Sequence, residues 1–235
     1  MATILNIETS TNVCSVALTA DGFILEHFED FEGPNHASVI SDFISECIKH
    51  LQKYEIKKPD AIAVSIGPGS YTGLRIGLSE AKGVAYGYEI PLIAVNTLEI
   101  IAVETMFQLT DFDVSTDIFQ PMIDARRNEV YTASYDGYLQ SLSDPHPVIL
   151  TNDFNNNNIL ADKRIIYCGN GAVKAETLIT PSVQSLFFPE VVPLATGMLP
   201  LSEKAWRNKE FVDIAYSIPL YLKEFQASTP KNKLS

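Results

Sequence analysis

The sequence predicts an α/β protein of two lobes, and three observations carry that prediction. Residues 3–31 alternate apolar and polar side chains in three short runs, the period of half-buried strands. Residues 35–108 then switch between compact apolar runs and longer stretches of helical period. The residue pattern of the opening runs returns in residues 123–139. With 235 residues, 46% of them hydrophobic, the chain can bury one large core or two smaller ones.

Taken in order, 3–9, 13–19 and 23–31 read as antiparallel strands, parted by a turn near Thr11-Asn12 and by Asp21-Gly22, a hairpin dipeptide. A helix over about 35–54, a buried strand 61–66, a helix 71–88, a strand 91–95 and a helix 97–108 follow. Strands alternating with helices imply right-handed parallel crossovers. A meander feeding such units is the topology of the ribonuclease H-like fold, from which actin-like ATPases build two lobes with mixed sheets flanked by helices. Residues 1–109 form the first lobe in this reading and 110–200 a smaller second one.

The second lobe reads as a copy of the first, the alternative being a chance likeness of two β-hairpins. IETSTNVCSVALTADGFI (7–24) lies over IDARRNEVYTASYDGYL (123–139) with one gap, matching Ile7-Glu8 with Ile123-Asp124, Asn12 with Asn128 and Asp21-Gly22 with Asp136-Gly137. Beyond Tyr138 the pattern thins to an Asn155–Asn158 loop, a strand at 164–168, the turn Gly169-Asn170-Gly171 and a short strand near Phe187. A closing helix near 201–210 is expected to pack back on the first lobe, and 225–235 reads as a flexible tail.

Charge narrows the function classes. Lys and Arg number 17 against 29 Asp and Glu, a net charge of −12, so the average field repels a polyanion and disfavours solitary binding to nucleic acid. Arg126, Arg127, Lys163 and Arg164 are the candidates for any local basic patch, with scattered surface charge as the favoured reading. Cys14, Cys47 and Cys168 are widely spaced and odd in number, which suggests neither a disulfide framework nor a zinc site. The opening residues suit a strand better than a signal peptide, no apolar run reaches membrane-spanning length, and a reducing cytoplasm is the expected compartment.

GPGSYTGLRIG (67–77) follows a buried strand and opens a helix, the place of a phosphate loop. It lacks the Gly-Lys-Ser/Thr of such a loop, and Thr72 stands where a dinucleotide fingerprint places its third glycine, so Ser70 or Thr72 reads as a helix N-cap. Four glycines sit inside this helix, Gly73, Gly77, Gly83 and Gly87. Each costs about 1 kcal/mol relative to alanine, roughly 4 kcal/mol in all. At about 100° per residue, Leu74, Leu78, Ala81 and Ala85 form one apolar stripe, while the glycines share another arc with Ile76, Glu80 and Val84. Two non-polar faces predict two packing partners, the second being another chain whose helix backbone approaches the glycines or, as the alternative, another element of this chain. The preceding helix is also broadly apolar, so His36, Ile40 and Phe43 join this expected interface.

GPGSYTGLRIG with Gly67, Pro68, Gly69, Ser70, Thr72 and Arg75, IDARRNEVY with Asp124, Arg126 and Tyr131, His36, and PLYLKE near the end together resemble TsaB (YeaZ) proteins over about residues 3–225. Lys223 stands where that family usually has Arg. The resemblance implies an actin-like fold and a non-catalytic subunit. It pairs with a TsaD-like catalytic paralogue and a TsaE-like ATPase to transfer a threonylcarbamoyl group to the tRNA adenosine beside the anticodon. It implies tRNA contact only through that complex, no cofactor of its own, and leaves a homodimer open. The residues agree, because His36 is followed by Ile40 where a metal-binding HxxxH pair needs histidine, and Glu8 and Asp124 lack a phosphate-loop setting. The alternative is an active actin-like-fold ATP-dependent phosphotransferase, with Glu8 or Asp124 as base or magnesium ligand and the Gly169–Gly171 turn against adenosine.

Overall fold

A computed structural model describes residues 2–33, 35–152, 154, 163–179 and 185–223. The expected Asn155–Asn158 loop and 225–235 tail lie outside these residues. The first sheet comprises β1 (Thr3–Glu8), β2 (Cys14–Ala20), β3 (Phe23–Asp30), β4 (Ala61–Gly67) and β5 (Leu92–Asn96) in the order β3-β2-β1-β4-β5. The meander strands pair antiparallel; β1, β4 and β5 pair parallel through crossovers containing α1 (His36–Gln52) and α2 (Tyr71–Tyr88).

Central strands β1 and β4 are buried, Ile66 of β4 excepted, because both faces are covered. Leu5, Ile7 and Val64 point to one side, where they meet Ile40, Ile44 and Leu51 of α1 and Leu78, Ala81 and Ala85 of α2. Ile4, Ala61 and Ala63 point to the other, against Ile100 of α3 (Thr97–Gln108) and Met198 and Ala205 around α5 (Leu199–Asn208). The closing helix therefore lies on the first sheet, and its Glu203 Oε1 accepts the Gly22 amide at 2.5 Å.

The second sheet holds β6 (Asp117–Asp124), β7 (Glu129–Thr132), β8 (Tyr135–Asp136), β9 (His146–Ile149), β10 (Arg164–Cys168) and β11 (Leu186–Phe188), with α4 (Ala172–Leu178) between β10 and β11. Its order, β11-β10-β6-β7-β9, repeats that of the first sheet, with β6 in the place of β1 between an antiparallel and a parallel neighbour. Glu8 and Asp124 end the two equivalent strands. On its other side α3 joins the lobes, packing Leu98, Ile101 and Ala102 against Phe119 and Ile166.

The body of β6, β9 and α4 carried no readable signal. Pro121 inside β6 argues against a central strand, and β9 and α4 are four and seven residues long, too short for a period. One basic-patch candidate is corrected: Arg164, at the start of β10, is bound in a fork to buried Asp117, with Nε at 2.7 Å from Oδ1 and Nη2 at 2.5 Å from Oδ2. Among the described residues no helix is long and apolar enough to cross a membrane. Cys14, Cys47 and Cys168 are buried free thiols, each pushed up to about 12, chiefly by burial.

Candidate functional site

The segment that opens α2 is shaped around the turn joining β1 to β2. Ser70 caps the helix by accepting the Gly73 amide at 3.2 Å, and its own amide donates to the Ser10 carbonyl at 2.7 Å. A Cβ added to Gly69 would lie 2.4 Å from the Ser10 carbonyl oxygen, one on Gly73 2.1 Å from the Thr9 carbonyl oxygen, and one on Gly77 2.1 Å from Thr9 Oγ1. From the other side His36 at the start of α1 donates Nε2–H to the Thr11 carbonyl at 2.8 Å. Residues 9–11 are thus gripped by both crossover helices, and the glycines admit the turn against the backbone of α2.

This corrects the expected partner face. Gly73 and Gly77 serve contacts within the chain, and Ile40 and His36 are 0% and 4% exposed, so none of the four presents surface to another molecule. Phe43 is half-buried and stacks on Phe28 at a ring distance of 5.5 Å. The helical-wheel reading placed Gly73 and Gly77 with Gly83 and Gly87 because it shows which residues share a side, and not which ones the distant β1–β2 turn covers.

What stays open on α2 is narrower. Gly83 and Gly87 are exposed, and an added Cβ would meet nothing within 4 Å at either. Around them lie exposed Arg75, Thr72, Ser79 and Tyr86 and half-buried Ile76, Glu80 and Val84. Grooves run along both borders, one between Ala37 of α1 and the first turns of α2, the other between Lys82, Gly83 and Tyr86 and the segment 212–215.

The three motifs of the sequence meet at this corner. Leu220 donates its amide to the Ile66 carbonyl at 2.7 Å, and Arg75 donates Nε–H to the Tyr221 hydroxyl at 3.2 Å while lying 4.4 Å over the Tyr71 ring. Two residues on, the Lys223 ammonium pairs with Glu129 of β7. At the end of β6, Asp124 accepts Lys174 Nζ at 2.7 Å and the Arg126 amide at 2.6 Å. Burial pushes its carboxyl upward, but the hydrogen bonds and charges of Lys174 and Arg126 together hold it below the ordinary range. Tyr131 pairs with Ile123 across β6 and β7 and packs on the second lobe's core. Thr9, Ser10 and Tyr221 were not singled out from the sequence; the density of glycine in 67–77 was the only signal that something presses close there.

The residues named for the alternative chemistry sit in packed surroundings. Glu8 is wholly buried, and burial lifts its carboxyl to about 7 against the pull of the Ser10 and Ser65 hydrogen bonds, with Glu104 adding to the rise. Its Oε1 accepts the Ser10 amide at 2.5 Å. In the second lobe, Cβ atoms on Gly169 and Gly171 would lie 2.7 and 2.8 Å from atoms of Met122, so that turn rests on β6. Among the described residues no three His, Cys, Asp or Glu side chains gather as a metal site.

A family model described as "TsaD: tRNA N6-adenosine threonylcarbamoyltransferase" matches residues 32–227. The tRNA threonylcarbamoyladenosine biosynthesis protein TsaB of Escherichia coli (strain K12) is 38% identical over 132 residues, 56% of this chain and 54% of that protein. Its counterpart in Bacillus subtilis (strain 168) is 33% identical over 137 residues, 57% of this chain and 55% of the relative. The chain thus spans about half the length of the curated relatives it matches. Among solved structures, YeaZ from Pseudomonas aeruginosa superposes with a TM-score of 0.78 at 26% identity, over 94% of this chain and 100% of that one.

Proposed function

Because the chain belongs to the TsaB/YeaZ family, within the wider family described as TsaD, we propose that it is a non-catalytic docking subunit for threonylcarbamoyl transfer to tRNA. The observation that carries the docking role is the open strip of α2, where Gly83 and Gly87 have free space above them beside exposed Tyr86 and half-buried Ile76 and Val84. A partner helix can approach such a strip to backbone distance, replacing the helix propensity lost at two glycines with close dispersion contacts. The occupant is a TsaD-like catalytic paralogue, and a TsaE-like ATPase joins that pair. Phe43 and Glu80 border the strip; Gly73, Gly77, His36 and Ile40 act behind it by fixing α1 and α2 on the β1–β2 turn.

The absence of chemistry in this subunit is supported by the way α2 fills the space after β1. A phosphate at the Thr9–Ser10 turn would have to occupy the volume into which Gly69, Gly73 and Gly77 already press. Gly83→Arg tests the docking role, since it adds bulk and charge where the chain itself offers no contact. Co-expressed with the catalytic paralogue, the variant should elute separately on size exclusion and fail to support tRNA modification, while melting no lower than the parent chain, since arginine is the better helix former. An intact complex would overturn the assignment of this strip, and ATP hydrolysis by the pure chain would overturn the non-catalytic reading.

A further inference from the structure

The β6–β7 turn is the second lobe's copy of the clasped β1–β2 turn, yet its tip, Arg126, Arg127 and Asn128, is exposed. In the first lobe α2 runs from Tyr71 to Tyr88 and its first turns close over Thr9 and Ser10; α4, at Ala172–Leu178, is less than half as long. At its uncovered tip stand Arg126 and Arg127, both exposed, with no hydrogen bond or ion pair from either guanidinium among the described residues. The carboxylates beside them are already engaged, Asp124 by Lys174 and the Arg126 amide, Glu129 by Lys223. Among the described residues, four cations therefore stand with two carboxylates at this corner, on a chain whose overall charge is −12.

The backbone holds the two arginines in place at a cost. Arg126 and Arg127 have φ of +70° and +51°, a left-handed pair that costs roughly 1–2 kcal/mol per residue for side chains other than glycine. The Glu129 amide donating to the Arg126 carbonyl at 3.2 Å, the Ala125 amide to Glu129 at 3.0 Å and the Leu150 amide to Asn128 at 2.8 Å fix the turn in that shape. A guanidinium offers a planar fork of donors suited to two phosphate oxygens, and a fixed turn spares part of the ordering entropy on binding.

We propose that the Arg126–Arg127 turn is a phosphodiester-binding prong that grips the backbone of RNA. The choice of RNA rests on the functional reading above; the anion site itself rests on the turn. It reconciles a strongly acidic chain with a tRNA pathway, because the attraction is local and takes effect once a partner supplies the remaining contacts.

Two measurements test it. In the first, the isolated full chain, labelled with nitrogen-15, is titrated at low salt with a hexamer of uridylate and, separately, with inorganic phosphate. Amide shifts should gather at residues 124–129, saturate at lower concentration with the hexamer, and vanish in Arg126→Gln/Arg127→Gln. Shifts from phosphate but not from RNA, no shifts, or shifts unaltered in the double variant overturn the proposal. In the second, the chain paired with the catalytic paralogue binds tRNA over a range of salt. The double variant should pair normally and lose affinity, its log–log salt slope falling by about 1.4 for two lost phosphates on unpaired RNA. Lys49→Gln/Lys57→Gln, equal in charge removed, should leave the slope unchanged. Equal slopes, or loss of pairing in the arginine variant, assign the turn to another role. Failure of the unaltered chain to pair defeats the functional reading alone, and the first measurement still decides the prong.

Discussion

A methyl group placed on Gly77 would lie 2.1 Å from the Oγ1 of Thr9, on the turn between β1 and β2. Gly77→Ala should therefore destabilise the isolated chain by about 1–3 kcal/mol, overpacking outweighing the gain of about 1 kcal/mol in helix propensity. Thr9→Ala should restore part of that loss, because the nearest atom is the hydroxyl it removes. Gly73→Ala should not be rescued, since its obstacle is the Thr9 carbonyl oxygen. Urea unfolding of the four variants separates these outcomes, and equal rescue at both sites would refute the clasp.

Gly83→Ala should act in the opposite direction. With no neighbour within 4 Å of the added methyl, the helix gains up to about 1 kcal/mol, which corresponds to a rise in Tm of about 2–4 °C in a chain of this length. A lower Tm in thermal circular dichroism would mean that the strip is covered within the chain itself.

The buried Glu8 carboxyl links stability to pH. Its folded-state value of about 7 lies above the ordinary glutamate range, so between the two the folded chain keeps a proton that the unfolded chain loses. Stability should then fall as pH rises toward 7 and level off above it, by about 3 kcal/mol from this residue. Glu8→Gln should flatten that fall and stabilise the chain most at pH 8. Glu104, also lifted to about 7 and chiefly by burial, would leave a smaller slope behind. Identical slopes in the parent and the variant would place the pH dependence elsewhere.

Removing Arg164 should weaken the second lobe. Asp117 has no exposed side-chain surface and depends on the guanidinium fork, so Arg164→Ala leaves a buried charge unpaired, at about 3–5 kcal/mol. Arg164→Ala/Asp117→Asn should recover much of the loss in chemical unfolding. A single variant as stable as the parent would show that water replaces the pair.

The sequence by itself determined the order of the first lobe, from β1 to α3, because strand and helix periods are local and each segment is long enough to show one. The repeat of Ile7-Glu8 in Ile123-Asp124 was legible for the same reason, and the equal order of the two sheets agrees with it. Legibility failed where a pattern was short or contradicted, as in α4 and at Pro121 of β6. Only the tertiary structure decided how the four glycines of α2 divide. Gly73 and Gly77 lie under Thr9, more than sixty residues away in sequence, while Gly83 and Gly87 meet nothing within 4 Å among the described residues. A helical period fixes which side chains share a face, whereas what that face meets depends on contacts between segments far apart in the chain. The same holds for Arg75 with Tyr221 and for Glu129 with Lys223, pairs that bring three separate motifs to one corner and that no spacing along the chain encodes.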